Sequence, residues 1–292
     1  MTLISKATRQ RLEALIAGMF LGFLARLPPD WASGLAGGLC RAIGPYLKVS
    51  NVARRNLART FPDKSAAEIE KIVAEVWENL GRVAGEFPHL DWLIANRVEL
   101  VGAEHLHALR DDGIAGLFIS AHLGNWELAG AVATREGLPV TLVYRAANNP
   151  WVERLYRRYR KAAAGAGQIA KGPEGAREIM QALKAGGHVG MLVDQKMNDG
   201  LPISFLGREA MTASAVGRFA VRFDIPVVPA RIERLQGARF RMTMFPAMEH
   251  TLCGDAHQDT VNLMIAINDL IGQWVRERPG QWLWLHKRWP EN

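Results

Sequence analysis

The sequence predicts an α/β fold with a largely parallel or mixed central sheet, flanked by helices on both faces and preceded by an N-terminal apolar helical hairpin. Three observations carry this reading. From Val98 onward, short uncharged or β-branched runs alternate with segments of helical periodicity, which is how strands joined by covering helices read. The runs 114–121 and 189–193 hold no charge at all, as expected of strands buried on both faces. Within the first 47 residues two apolar runs, 14–25 and 31–47, are separated at Pro28-Pro29. At 292 residues, 49% hydrophobic and 22% charged, the chain can bury one large core, and disorder is excluded.

At the N-terminus, Lys6, Arg9 and Arg11 precede the uncharged run 14–25, which Arg26 closes. That run is shorter than the roughly 20 residues that span a bilayer. A secretory signal fits less well, because no small-x-small site precedes Arg26. A second apolar segment, 31–47, follows the proline pair. Two short apolar helices read as a hairpin lying in a membrane interface, with basic residues reaching lipid phosphates; an ordinary buried helical pair is the plain alternative. Residues 1–47 are therefore expected to form a membrane-associating segment, and 48–292 the α/β domain.

A basic patch spans 48–59. Ser65 with Glu68 then forms a capping box, and Ile69, Ile72, Val73, Val76, Trp77, Leu80 and Val83 repeat at helical spacing before Pro88, so this helix belongs to the core. Strands are expected at 98–101, 114–121, 140–144, 189–193 and 227–232. Helices are expected up to Arg110, after His122, and at 151–164, 174–185, 212–223 and 258–278. The alternation across 239–245 suggests an antiparallel edge strand.

Chemistry in such sheets sits beyond the carboxyl ends of the strands. Polar clusters fall at three of those ends: His122 to Glu127, Tyr144-Arg145 followed by Asn148-Asn149, and Asp194-Gln195. His122 and Glu127 would lie about 140° apart within one helix. With His122 closing a strand and Glu127 in the first helical turn, the turn through Gly124 is expected to fold the carboxylate onto the imidazole, making a general base.

Other chemistries are excluded by their missing motifs. There is no G-x-S-x-G elbow, P-loop or H-E-x-x-H, and Gly165-Ala166-Gly167 lacks the third glycine of a dinucleotide fingerprint. Cys40 and Cys253 make neither a disulfide framework nor a zinc site. His105 and His107 read as surface residues, and His188, His250, His257 and His286 as structural. Arg154, Arg157, Arg158, Arg160 and Lys161 share a helix with Trp151, Leu155, Tyr156 and Tyr159, but these apolar residues form a core-facing stripe. Nucleic acid is therefore not expected, and the net charge of +7 points to an anionic lipid or an acidic carrier.

Ala121-His122-Leu123-Gly124-Asn125-Trp126-Glu127 resembles the H-x4-D/E motif of glycerolipid-type acyltransferases, in the form found in bacterial lipid A biosynthesis (lauroyl/myristoyl) acyltransferases. Further blocks resemble that family in order: Val143-Tyr144-Arg145 with Asn149-Pro150, then Arg160, then Asp194-Gln195 with Phe205-Leu206-Gly207, Ala210 and Thr212. Pro226-Val227-Val228-Pro229 and the ending Pro279 to Arg288 continue the series. Lys196 and Ala146-Ala147 depart from the family's pattern.

The resemblance implies an acyltransferase in which His122 takes the acceptor's proton and Glu127 fixes the imidazole tautomer. Amides of the turn Leu123 to Asn125, with Gly124 and Asn125, are expected to support the oxyanion. Arg145 and Arg160 are expected on phosphate, and Asn149, Asp194, Gln195, Gly207 and Thr212 in the substrate-binding blocks. No cofactor or metal is implied. The donor expected is acyl carrier protein or acyl-CoA, and the acceptor a phosphorylated lipid, either a lipid A precursor or another lysophospholipid or glycolipid. The site of action expected is the cytoplasmic face of the inner membrane, reached by a monotopic segment or a single N-terminal anchor. Two readings from other classes are a non-enzymatic binder of anionic lipid or nucleic acid, and a metal-dependent hydrolase built on His122, Glu127 and Asp194.

Overall fold

A computed structural model describes residues 5–160, 167–249 and 252–290. The chain begins with five helices: α1 (Lys6–Leu24), α2 (Pro29–Ile43), α3 (Ser50–Thr60), α4 (Ala66–Glu86) and α5 (Leu90–Asn96). There follow β1 (Val98–Val101), α6 (Ala103–Asp111), β2 (Gly116–Ser120), α7 (Ala129–Arg135), β3 (Val140–Tyr144), α8 (Pro150–Arg160), β4 (Gly167–Ala170) and α9 (Pro173–Lys184). Then come β5 (His188–Leu192), β6 (Lys196–Phe205), β7 (Arg208–Thr212), α10 (Ala215–Phe223), β8 (Val227–Arg234), β9 (Phe240–Met244) and α11 (Ala256–Glu277). Lys161, the expected helical residues 161–164, Gly165, Ala166 and His250 lie outside the described residues.

The central sheet has the order β1-β9-β8-β2-β5-β3-β4. Neighbours are parallel except for β8 and β9, so the sheet is mixed. One expectation is corrected here: β9 is antiparallel to β8 but lies inside the sheet, between β8 and β1. Its alternating sequence reports burial on one face, which is a different property from lying at an edge. β6 and β7 form a separate hairpin, turned by Leu206 and Gly207 at φ 54° and 82°.

Two apolar cores lie on opposite faces of the sheet. One joins α3, α4, α9, α10 and α11 with Trp282, Trp284 and Trp289. The other joins α5, α6 and α7 with Leu21 of α1. The Ser65–Glu68 capping box starts α4 as the spacing requires.

The two N-terminal helices take different partners. α1 rests on α8, whereas α2 lies along α4. A Cβ at Gly81 or Gly85 would come within 2.4 Å of the carbonyl oxygen of Ala36 or Ala32, so α2 and α4 meet backbone to backbone. Ala32, Ser33, Ala36 and Gly37 face inward, while Trp31, Leu35, Leu39 and Ile43 are exposed at every fourth position. Leu12, Leu15, Ile16, Met19, Phe20 and Phe23 of α1 are exposed as well. Among the described residues, no helix is long and apolar enough to cross a membrane.

Candidate active site

β2 and β5 are adjacent and parallel, with Ser120 opposite Leu192. The pairing extends one step further, as the Val193 N–H donates to the Ser120 carbonyl at 3.1 Å. Two residues beyond each strand, His122 and Asp194 therefore arrive side by side. His122 Nδ1 lies 2.8 Å from Asp194 Oδ1, and the His122 backbone N–H donates to Oδ2 at 2.8 Å. The indole Nε1 of Trp282 also donates to Oδ2, at 2.7 Å.

Asp194 is only 2% exposed. Burial pushes its carboxyl upward, but the charge of His122, the two His122 hydrogen bonds and the Trp282 indole outweigh that and hold it well below the usual range. An ionised acceptor on Nδ1 puts the ring proton there and leaves the Nε2 lone pair facing the cavity. The Gln195 amide nitrogen lies 3.2 Å from Nε2, where it can donate.

The carboxylate on His122 is thus Asp194, and the expected pairing with Glu127 is corrected. Asn125 Oδ1 caps the short 3-10 turn Trp126–Leu128 by accepting from the Glu127 N–H at 3.3 Å. The Trp126 ring then lies against His122, with ring centroids 5.2 Å apart. Glu127 instead receives Arg160 Nε and Nη2 at 2.7 and 2.6 Å. Arg160 also lies over the rings of Phe87, Tyr144 and Tyr156, at 5.6, 6.0 and 5.8 Å. Desolvation opposes its charge, yet hydrogen bonding to Glu127 prevails and raises its pKa. Arg160, expected on phosphate, is already matched by a fork-to-fork carboxylate.

The turn after His122 is fixed from beneath by a buried polar network. Asn125 Nδ2 donates to Glu86 Oε2 at 2.8 Å, and Arg234 donates to both Glu86 oxygens. Arg234 Nε reaches Asn79 Oδ1 at 2.9 Å, and Asn79 Nδ2 donates to the Gly124 carbonyl at 2.9 Å. Gly124 has φ 57°, and a Cβ there would meet the Ile232 carbonyl oxygen at 2.5 Å. The amides of Leu123 and Gly124 donate to the carbonyls of Ala121 and Gln281 at 2.7 and 3.1 Å. These two amides are spent, so for Leu123 and Gly124 the expectation of supporting an oxyanion is corrected; Gly124 and the Asn125 side chain shape the turn instead.

A cavity of ≈ 230 Å³ opens beside His122. Glu127, Arg145, Arg160, Lys171 and Gln195 supply its polar lining, and Phe118, Leu142 and Met191 its apolar floor. A second cavity of ≈ 240 Å³ is lined by Phe20 and Leu21 of α1, by α4 and by Tyr156; Glu127 and Arg160 line both cavities.

Six expected substrate-binding residues line neither of these cavities: Gly124, Asn125 and Asp194, placed above, and Asn149, Gly207 and Thr212. Asn149 starts α8 by accepting from the Trp151 and Val152 N–H groups at 3.0 and 3.4 Å. Its Nδ2 ties α8 to α1 through the Gln10 carbonyl and Glu13, at 2.8 and 3.0 Å. Gly207 makes the β6–β7 turn. Thr212 Oγ1 accepts from Arg288 Nη2 at 2.7 Å and from Asn268 Nδ2 at 3.2 Å. Sequence reasoning missed Lys171, because the short strand β4 that it follows had no pattern of its own. It also missed Trp282 as a partner of Asp194.

His286, read from the sequence as structural, is placed so. Its Nε2 accepts the Lys196 N–H at 2.9 Å, and burial pushes the imidazole down to about 4. Among the described residues, no three His, Cys, Asp or Glu side chains converge to hold a metal ion.

The arrangement is a cavity in which an imidazole base, oriented by a buried carboxylate, meets cations and an apolar floor. Comparison with known proteins agrees with that chemistry. The model of the bacterial lipid A biosynthesis acyltransferases matches residues 5–291. A lipid A biosynthesis palmitoleoyltransferase of Escherichia coli (strain K12) is 26% identical over 259 residues, covering 84% of this chain and 80% of its own. A lipid A biosynthesis acyltransferase of Haemophilus influenzae is 24% identical over 278 residues, with 91% and 84% covered. A phosphatidylinositol mannoside acyltransferase of Mycobacterium tuberculosis is 23% identical over 249 residues, with 81% and 76% covered. The chain belongs to the family of bacterial lipid A biosynthesis acyltransferases, and it is an acyltransferase of lipid A type.

Proposed function

We propose that this enzyme moves a fatty acyl chain from the thioester of acyl carrier protein to a free hydroxyl of a phosphorylated lipid A precursor, at the cytoplasmic face of the inner membrane. The observation that carries the chemical part is the His122–Asp194 pair facing the cavity. The acceptor hydroxyl displaces the Gln195 amide from His122 Nε2, hydrogen-bonds there in its place and gives up its proton as it attacks the thioester carbonyl. Asp194 stabilises the imidazolium that forms. When the tetrahedral intermediate collapses, the C–S bond breaks and the thiolate recovers the proton from His122. Base catalysis of this kind is worth about 10² to 10⁴ in rate. Glu127 enters as the residue that fixes Arg160 at the wall of the cavity, not as the partner of the imidazole.

A lipid hydroxyl as the acceptor is supported by the exposed apolar side chains of α1 and α2. Trp31 is 73% and Tyr46 88% exposed, well beyond the scattered exposure usual on a soluble surface. The second cavity lies under α1 and meets the first at Glu127 and Arg160. An acidic carrier protein as the donor is supported by the net charge of +7; acyl-CoA is the other donor of suitable chemistry.

The test is to incubate the purified enzyme with a lipid A precursor bearing free acyl-chain hydroxyls, supplying acyl carrier protein or acyl-CoA thioesters, and to weigh the lipid products. The expected result is one added acyl chain, formed faster from the carrier protein. Thioester hydrolysis without an acylated lipid would contradict the proposal. In parallel, the enzyme should float with anionic vesicles, and deletion of residues 1–27 should release it.

A further inference from the structure

The cavity carries more positive charge than its own carboxylates neutralise. Its lining includes Arg145, Arg160 and Lys171, but among the described residues Glu127 is the only carboxylate there. Glu127 is committed to Arg160 by two hydrogen bonds. The nearest other acids are also engaged. Asp194 holds His122 and Trp282, and Glu153 receives the Tyr144 hydroxyl and the Ala147 N–H, each at 2.8 Å. Arg145 and Lys171 remain without an ion pair among the described residues.

Strand register brings these two cations together. Tyr144 is opposite Ala170 in the parallel pair β3–β4, and the Lys171 N–H donates to the Tyr144 carbonyl at 2.8 Å. Arg145 and Lys171 are thus the next pair across, and both side chains reach the cavity. Parallel neighbours lie about 4.8 Å apart, close enough for two cations to grip one tetrahedral anion. Desolvation lowers the Lys171 ammonium below its usual range; Asp194 opposes this, and the charge of Arg145 adds to it. An anion between the two would relieve both effects.

We propose that Arg145 and Lys171 form a phosphate-binding subsite that fixes the phosphorylated end of the lipid acceptor while His122 addresses its hydroxyl. This rests on the acyl-transfer reading above. It moves phosphate recognition from Arg160, which Glu127 satisfies, to Lys171. The sheet order sets the distance: β2, β5, β3 and β4 are consecutive, so Arg145 stands two strands and Lys171 three strands from His122. The backbone positions of Arg145 and Lys171 are therefore about 10 and 14 Å from that of His122, and their side chains reach back into the cavity that His122 lines. Two separate anchoring points in one cavity suit a glycolipid headgroup that carries both a phosphate and a free hydroxyl. The phosphodiester of the donor's prosthetic arm offers the same chemistry from another source.

The experiment compares purified enzyme and its Lys171→Ala, Lys171→Arg and Arg145→Ala variants on a phosphorylated lipid A precursor and on the same precursor after phosphatase treatment. A second arm replaces acyl carrier protein with an acyl N-acetylcysteamine thioester, which lacks the phosphodiester. The wild-type preference in kcat/KM for the phosphorylated acceptor should fall about tenfold or more in either alanine variant and be largely restored by Lys171→Arg, with KM carrying the change.

An unchanged preference would overturn the proposal. A loss confined to the arm with the carrier protein would also overturn it, assigning the subsite to the donor. Binding of dihexanoyl phosphatidic acid, followed by calorimetry without any donor, separates this proposal from the acyl-transfer reading. Phosphate-dependent binding that Lys171→Ala weakens, in a protein that transfers no acyl chain, would support the subsite and sink the reaction. Acyl transfer indifferent to phosphate would do the reverse.

Discussion

Asp194 grips His122 at two points, taking the ring Nδ1–H on one carboxylate oxygen and the backbone N–H on the other, each at 2.8 Å. The imidazole is therefore fixed in position and in tautomer by one side chain from the neighbouring strand. Replacing Asp194 with Asn keeps the size and a hydrogen-bonding group but removes the charge that stabilises the imidazolium. The expected loss in kcat for acyl transfer is about 10² to 10⁴, with KM for the acceptor little changed. Steady-state kinetics on the purified variant checks this, and wild-type kcat would show that the pairing has no part in the reaction.

Glu127 and Arg160 act as one unit, because their forked contact leaves either charge unmatched once the other is removed. Glu127→Ala and Arg160→Ala should each impair turnover, and the double variant should be no worse than the more impaired single one. A double-mutant cycle measures the coupling. Strictly additive losses would mean that the two residues contribute separately.

The network under the turn after His122 bears on stability. Glu86 is fully buried and carries both Arg234 and Asn125. Glu86→Gln leaves a buried guanidinium without its counter-charge and is expected to cost about 3 to 5 kcal/mol in urea unfolding. Gly124→Ala forces a side chain into a left-handed turn against the Ile232 carbonyl and is expected to cost about 1 to 3 kcal/mol.

His286 predicts a pH dependence of stability. Its folded pKa is pushed down to about 4, below the unfolded value of about 6.5. Between those values the unfolded chain binds a proton that the folded one refuses, so stability falls as pH drops from 6.5 towards 4. The contribution is at most about 3 kcal/mol. In His286→Gln, which retains an acceptor for the Lys196 N–H, the urea midpoint should vary less over that window than in wild type.

Much of this arrangement could be read in the sequence, and the parts that could not have physical reasons. The alternating pattern located β1 and β3 to the residue and placed His122, Arg145 and Asp194 at strand ends, because buried parallel strands must be apolar until they reach the cleft. Strand order is not written locally. Nothing between His122 and Glu127 reveals that β5 lies beside β2, and that adjacency is what delivers Asp194 to the imidazole. Proximity in sequence favoured Glu127, whereas the Asn125-capped turn and the Trp126 ring set its carboxylate toward α8. Lys171 was hidden for a related reason: β4 is four residues long at the sheet edge and gains its meaning only from its pairing with β3. Asn149 and Thr212 matched family blocks, yet each spends its polar atoms on helix caps and internal partners.

The central claim is that His122 Nε2 is the base for acyl transfer. It is tested most directly by the single-turnover rate of His122→Ala on a lipid A precursor with saturating acyl carrier protein thioester. A fall of at least about 10²-fold, with unfolding and vesicle binding unchanged, is the predicted result. A variant that transfers acyl chains at the wild-type rate would contradict it.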